Sequence, residues 1–329
     1  MVVSLNRVGI VGVGSYLPDV VLTNKDLEKM VETSDEWIVT RTGIRERRIA
    51  PEGVNPSHLA YEAAKKALES AKLSSEDIDL IVVATNSPDT LFPATACRVQ
   101  AMLGASRAGA FDLQAGCTSP VYAMAIVEPG IKNGHWKNVL VIGVEVLSRI
   151  VNWEDRNTCV LFGDGAGAVV MRAVENGGII DFDLKSDGTK ADYIELPAGL
   201  AAMPATEETV RKKLHTVHMK GNEVFKYVVR VIPAFMKSLL ERNGMTPADI
   251  DWYIFHQANL RIIDAVLDRF GVSKEKAIVN LDKYGNTSAA TVFIALDEAV
   301  RDGRIKKGDK IMFVSFGSGM TYGGVILEW

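Results

Sequence analysis

Residues 73–84 read LSSEDIDLIVVA and residues 245–256 read MTPADIDWYIFH, and the fold follows from setting one beneath the other. Ile78-Asp79 falls on Ile250-Asp251, 172 positions further on (250 − 78). In each copy a helix end gives way to a short acidic turn, then to a run of mostly apolar residues with the length of a strand. A second pair keeps the same order: IKNGHWKNVLVI (131–142) lies over VRDGRIKKGDKI (300–311), with Gly134 on Gly303 and Lys137 on Lys306, 169 positions apart (303 − 134). One short match would mean little. Two pairs in one order at nearly equal spacing indicate two diverged copies of one α/β unit, residues 1–180 and 181–329.

Within each unit short apolar runs alternate with amphipathic helical stretches. The strands expected are Val8–Val13, Leu80–Ala84, Ala110–Leu113, Val139–Gly143, Trp252–Phe255 and Lys310–Phe316; the helices are 57–71, 94–103, 222–242, 259–269 and 288–302. Runs as continuous as LIVVA and VLVIG require burial on both faces, so the pattern predicts mixed sheets covered by helices. Net charge is −4, which gives no basic field to attract nucleic acid. MVVSLNRVGIVGVGSYLP (1–18) is interrupted by Arg7 and reads as a first strand, not a signal peptide, and no apolar run is long enough to span a membrane. Three cysteines, Cys97, Cys117 and Cys159, stand at no metal-ligating spacing. They fit a reduced, cytoplasmic protein, and no metal site is expected.

Cys117 lies in AFDLQAGCTSPVYAM, where a strand enters a tight glycine turn and an apolar helical pattern begins just beyond. That geometry exposes a side chain at the end of a sheet, as in nucleophile elbows, and a helix N-terminus favours thiolate. Cys97 and Cys159 lack such a context and read as small buried hydrophobes. His256 closes the strand WYIF; a lone histidine there is more often structural than catalytic, and the internal repeat shifts the balance toward a site. The 169-residue spacing carries Gly116-Cys117-Thr118-Ser119 onto Gly285-Asn286-Thr287-Ser288, so Asn286 is the repeat partner of the cysteine. Asn is a preferred helix N-cap, but a pseudo-twofold arrangement also brings the two turns into one pocket. GVGSYLP (12–18) lacks the third glycine of a dinucleotide loop and has Pro18 where a helix should run, which excludes NAD binding. FGDGAGAV (162–169) offers backbone room for close packing, and the amides of FGSGMTYGG (316–324) could stabilise an oxyanion beside the thiol.

At these residues the sequence resembles the β-ketoacyl-acyl-carrier-protein synthase III family of the thiolase superfamily. The resemblance runs essentially end to end, through SDEWIVTRTGIRERRI (34–49), the Cys117 segment, DRNTCVLFGDGAGAV (155–169), KGNEVFK (220–226), FHQANLRII (255–263), YGNTSAA (284–290) and FGSGMTYG (316–323). It implies a five-layer αβαβα fold and a decarboxylating condensing acyltransferase with no cofactor, acyl-CoA being a substrate. By resemblance Cys117 takes an acyl group from acyl-CoA, with the backbone amides of Cys117 and Ser318 as the oxyanion hole. Malonyl-acyl carrier protein then enters, and His256 and Asn286 stabilise the enolate that forms as CO₂ leaves. The product is a β-ketoacyl-acyl carrier protein, the start of type II fatty-acid synthesis.

The resemblance further implies that Trp37 and Arg156 sandwich the CoA adenine, that Arg41 meets a CoA phosphate, and that Gly221 and Asn222 contact the pantetheine arm. Phe92, Leu147 and Phe162 would shape the acyl pocket, with Phe92 crossing a homodimer interface; Lys226, Arg261 and Arg269 would dock the acidic carrier protein. Departures from the family pattern stand at Ser119-Pro120, where Gly-Phe is usual, at AGLAAMPA (198–205), which lacks the usual Gly-Ser-Arg, and at Asp268, which replaces a base. Pro129-Gly130 falls inside the helix after the cysteine and is expected to kink or end it. The alternative function is a related acyltransferase or condensing enzyme of secondary metabolism with an unusual primer. A hydroxymethylglutaryl-CoA synthase type is disfavoured because no glutamate stands near Cys117 in the sequence, and a papain-type hydrolase because its signature is absent.

Overall fold

The structure is a computed structural model that describes residues 7–329. The part of the opening strand expected before Arg7 lies outside those residues.

Two five-stranded mixed sheets organise the chain. In the first, the order is Val8–Tyr16, Gly165–Ala173, Asn138–Glu145, Leu80–Ala84, Gly109–Leu113. In the second it is Gly178–Ser186, Thr321–Glu328, Lys310–Gly317, Trp252–Phe255, Ala277–Ile278. Read this way the sheets match in order and in direction: two antiparallel pairings, then two parallel ones. The central strands Leu80–Ala84 and Asn138–Glu145 carry the unbroken apolar runs, because helices cover both of their faces. Leu80–Ala84 is buried at every position, as is Asn138–Glu145.

Helices fill three layers around the two sheets. Pro56–Ala71 and Thr95–Leu103 cover the outer face of the first sheet, and Gly221–Arg242 and Leu260–Phe270 lie outside the second. Between the sheets lie Ser119–Lys132 and Thr291–Arg301, each apolar nearly all round. This is the αβαβα stack the sequence implied. The glycines of GVGSYLP sit in the strand Val8–Tyr16, where a Cβ on Gly12 would come within 2.3 Å of the Ala67 carbonyl oxygen. They serve helix–sheet packing, not a nucleotide.

Two expectations are corrected. The helix after Cys117 neither ends nor breaks at Pro129; it runs from Ser119 to Lys132. Pro129 stands in the last turn, so its missing N–H removes one hydrogen bond only, and its carbonyl caps the end by accepting from the Asn133 backbone at 3.0 Å and from Asn133 Nδ2 at 2.8 Å. Cys97 is exposed on Thr95–Leu103, because the face of that helix carrying Ala96 and Val99 is the one packed inward; Cys159 is buried.

Phe293, fully buried at 0% exposure in the central helix, tests the layered core. Phe293→Ala should cost about 3–5 kcal/mol in urea denaturation; a loss under about 1 kcal/mol would contradict the assignment of this helix to the core.

Candidate active site

The strand Gly109–Leu113 leads into the Cys117 turn, and Ser119 closes that turn from within. Its buried hydroxyl accepts from the Ala115 N–H at 2.7 Å and donates to the Gly116 carbonyl at 2.6 Å. Pro120 fits the first turn of the following helix, where its missing N–H has no helical partner. The Ser119-Pro120 departure therefore preserves the turn.

Against this turn packs the C-terminal glycine loop. A Cβ on Gly317 would fall 2.4 Å from the Cys117 nitrogen, and one on Gly116, at φ 61°, would fall 2.6 Å from the Ser318 nitrogen. Only glycine permits so close an approach at both positions. Thr321 ties the two loops, donating to the Ala115 carbonyl at 2.7 Å and lying 2.9 Å from the Thr118 hydroxyl.

The second copy of the turn arrives from the other half of the chain. Ser288, the repeat partner of Ser119, links all three candidate catalytic side chains. Its hydroxyl donates to Cys117 Sγ at 3.2 Å, and its backbone N–H donates to Asn286 Oδ1 at 2.8 Å. Its carbonyl accepts from the Thr291 hydroxyl at 3.0 Å, and Thr291 Oγ1 lies 2.8 Å from His256 Nδ1. With Oδ1 occupied by the Ser288 N–H, Asn286 Nδ2 has no partner among the described residues and can donate to a ligand. His256 Nε2 has no hydrogen-bond partner among the described residues. The single Thr291 proton serves either the Ser288 carbonyl or His256 Nδ1; given to Nδ1, it leaves the ring proton on Nε2, which is then a donor. The His256 backbone continues the ladder by donating to the Val314 carbonyl at 2.8 Å, and Phe316 packs edge-on to the ring at 5.3 Å.

Burial sets the electrostatics. It drives the His256 ring down to about 3, so the imidazole is neutral at physiological pH. It pushes the Cys117 thiol up to about 12, with the Glu145 carboxylate raising it further and the Ser288 hydroxyl pulling it back. The expected thiolate at a helix N-terminus is thereby corrected: desolvation outweighs the helix dipole in the resting site. A second correction concerns glutamate. Glu145 lies close enough to act on the Cys117 thiol, and it reaches the same cluster through Asn86, which donates to Glu145 Oε1 at 2.8 Å and to Ser288 Oγ at 3.1 Å. Sequence reasoning missed Glu145, Asn86, Ser288 and Thr291. Only Ser288 left a signal, as the repeat partner of Ser119 in YGNTSAA.

The remaining candidates are distributed around this centre. Leu147 and Phe162 are buried in the cluster that contains Phe316, and Phe162 forms a bridge to Asn286. Phe92 is 80% exposed beside Leu91 at 68%. Arg156 stacks over the Trp37 ring at 5.0 Å and donates to the Glu32 carbonyl at 2.8 Å, so a flat ring enters between them only if Arg156 swings away. Arg41, Gly221 and Asn222 are exposed, the last two at the start of Gly221–Arg242. Lys226 pairs with Glu223 at 3.0 Å, and Arg261 lies over Phe225 at 5.6 Å, which joins the two outer helices. Arg269, two turns further along, donates to the Val229 carbonyl at 3.1 Å. Gln257 is structural: its amide bonds the Phe255 and Ile278 carbonyls at 2.8 and 3.1 Å and accepts from the Asn280 N–H at 3.1 Å. Among the described residues no group of His, Cys, Asp and Glu side chains has the arrangement of a metal site, and no helix is long and apolar enough to cross a membrane.

Residues 111–188 match the family described as 3-oxoacyl-[acyl-carrier-protein] synthase III, and residues 240–329 match the C-terminal part of the same family. The chain is 57% identical over 322 residues to the β-ketoacyl-[acyl-carrier-protein] synthase III of Caldanaerobacter subterraneus subsp. tengcongensis, covering 98% of this chain and 97% of the relative. The crystal structure of 3-oxoacyl-[acyl-carrier-protein] synthase III from Aquifex aeolicus superposes with a TM-score of 0.91 at 47% identity, covering 98% of this chain and all of that one (100%). The priming β-ketosynthase of the R1128 polyketide pathway also superposes at 0.91, with 34% identity over 100% of this chain and 98% of its own. Fold, matched segments and whole-chain identity agree: the chain belongs to the β-ketoacyl-[acyl-carrier-protein] synthase III family.

Proposed function

We propose that the protein joins an acyl group from acyl-CoA to malonyl-acyl carrier protein by decarboxylative condensation, the first chain-building step of type II fatty-acid synthesis. The observation that carries this reading is the linkage of Cys117, Asn286 and His256 through Ser288, with Asn286 Nδ2 and His256 Nε2 unpartnered among the described residues. Cys117 is the nucleophile. Its sulfur bonds the acyl carbon, the CoA thiolate leaves with a proton, and the oxyanion rests on the amides of Cys117 and Ser318, which no turn or loop carbonyl engages among the described residues. Malonyl-acyl carrier protein then loses CO₂. His256 Nε2–H and Asn286 Nδ2–H donate to its thioester carbonyl and hold the enolate, whose carbon attacks the acyl-cysteine and releases the Cys117 sulfur as thiolate, which takes up a proton from water to restore the thiol. Decarboxylation itself generates the carbanion, so no strong base is required, and a neutral histidine suits the work.

Trp37, Arg41, Arg156, Gly221 and Asn222 are proposed to bind CoA, and Lys226, Arg261 and Arg269 the acidic carrier. A second copy of the chain is proposed to cover Phe92 and Leu91, whose exposure of 80% and 68% suits an apolar interface. The matching strand order of the two sheets supports a division into two copies of one unit at about residue 180. Secondary metabolism remains the alternative task; a preference for bulky or aromatic primers over acetyl-CoA and short branched acyl-CoA would favour it.

Intact-mass measurement after incubation with acyl-CoA should find one acyl adduct, discharged by malonyl-acyl carrier protein. Cys117→Ala should gain none; an adduct on that variant would overturn the nucleophile assignment. His256→Ala should still acylate while its condensation rate falls by at least about 100-fold. Equal loss in both half-reactions would instead make the histidine the activator of the thiol. Because the His256 ring stays neutral down to about pH 3, condensation by pre-acylated enzyme should show no histidine inflection between about pH 5.5 and 8. A fall in rate on passing below about pH 6.5 would contradict the neutral ring.

A further inference from the structure

Arg47 carries a guanidinium into the core, at 0% exposure, and the reaction just described does not use it. Burial pulls the group down to about 10, which leaves it charged at neutral pH. Its three hydrogen bonds all go to neutral acceptors. Nη1 donates to the Leu22 carbonyl at 3.1 Å and to Asn24 Oδ1 at 2.9 Å, and Nη2 donates to the Val160 carbonyl at 2.8 Å. Nε has no partner, and no carboxylate forms an ion pair with the group, among the described residues. A cation buried without a counter-ion is costly. An apolar side chain would fill the same space at less cost, so packing alone does not account for an arginine here. What distinguishes the guanidinium is a fork of donors that reaches three acceptors at once.

Those acceptors lead to the two helices that carry Trp37 and Arg156. On one side, the buried Asn24 turns its amide onto both ends of the Trp37 helix, Asp35–Thr42: Nδ2 donates to Asp35 Oδ1 at 2.8 Å and to the Ile44 carbonyl at 2.8 Å. On the other, Val160 caps the short helix Arg156–Cys159, which Arg156 opens. The chain Asn24–Arg47–Val160 thus ties the two helices together from behind. In front they meet through Arg156, which stacks on Trp37 and bonds the Glu32 carbonyl. A flat ring enters only by displacing that front contact, and among the described residues no other hydrogen bond joins residues 24–44 directly to residues 155–160. With a ligand in place, the spacing of the two helices falls to Arg47. Its stem has a separate task. A Cβ on Gly163 would fall 3.0 Å from the Arg47 Cβ and one on Gly285 3.2 Å from it, so the Asn286 turn rests on the stem and not on the fork.

We propose that Arg47 is the positioning residue of the CoA clamp: its guanidinium fixes the Trp37 helix and the Arg156 helix at the separation that admits the adenine, and it acts on acyl-CoA only through them. The inference rests on the CoA-binding reading of Trp37 and Arg156 above. It ties Arg47 to one end of one substrate. The adenine end of acyl-CoA depends on the fork; the thioester, Cys117 and the condensation with malonyl-acyl carrier protein do not.

The test compares acetyl-CoA with S-acetyl-N-acetylcysteamine, a thioester that lacks the adenine and the phosphates, in single-turnover acylation followed by intact mass. Arg47→Met keeps an apolar stem and removes the fork. It should raise the acetyl-CoA concentration needed for half-maximal rate by about 10-fold or more, while the rate with the truncated thioester stays within about 2-fold of wild type. Condensation of the pre-acylated variant with malonyl-acyl carrier protein should be unchanged. Asn24→Ala cuts the same chain one residue away and carries the test if Arg47→Met does not fold. It should give the same selective loss, with no further loss in the double variant, because the two residues act as one link. Equal loss with both thioesters, or a wild-type response to acetyl-CoA in both variants, would overturn the proposal. Trp37→Ala checks the reading beneath it. A wild-type response to acetyl-CoA in that variant would refute the clamp, and with it the route by which Arg47 acts. A selective loss in Trp37→Ala with none in Arg47→Met would keep the clamp and overturn the role of Arg47 alone.

Discussion

Two helices that are apolar nearly all round, Ser119–Lys132 and Thr291–Arg301, have to be covered on both sides, and that requirement shapes the rest of the molecule. Two sheets close over them, and each sheet in turn needs an outer pair of helices. Because both central helices are largely buried between the sheets, the turns that open them are where chemistry can reach a ligand. Those turns are Gly116-Cys117-Thr118-Ser119 and Gly285-Asn286-Thr287-Ser288, and they meet at the contact between Ser288 and Cys117. The site is a consequence of how two like units bury their middle layer.

That burial also explains the choice of side chains. A site this dry penalises every charge, and it holds His256 neutral and the resting Cys117 thiol protonated. Decarboxylation suits such a place, since the substrate brings its own negative charge and neutral donors can receive it. Acylation suits it less, because a thiol must give up a proton where thiolate is disfavoured.

Strand positions were legible where an unbroken run of large apolar residues fills the strand, and missed at Gly165–Ala173 and Thr321–Glu328, whose glycines break that run. Leu80–Ala84 and Trp252–Phe255 have the same bounds in sequence and structure, since an unbroken apolar run has no other use at that length. The repeat was legible because short turns keep their glycines. Glu145 was not: it reads as the polar end of an apolar strand, and nothing local announces the donors that Thr85, Asn86, Ser87 and Ala289 bring from two other segments. Cys97 was misjudged because burial is a tendency of cysteine, whereas its position on the outer face of a helix is a matter of phase. The ends of Ser119–Lys132 were misjudged because the cost of proline depends on how much helix follows it. The stacking of Arg156 on Trp37 joins segments that sequence spacing cannot relate.

The central claim is that this site condenses by hydrogen-bond donation from uncharged groups. The most direct measurement is ¹⁵N NMR of the His256 ring in selectively labelled protein across about pH 5.5 to 8. A neutral ring throughout, with the proton on Nε2, is the predicted result. A ring that titrates near its ordinary value of about 6.5, or carries both protons at neutral pH, would contradict the account.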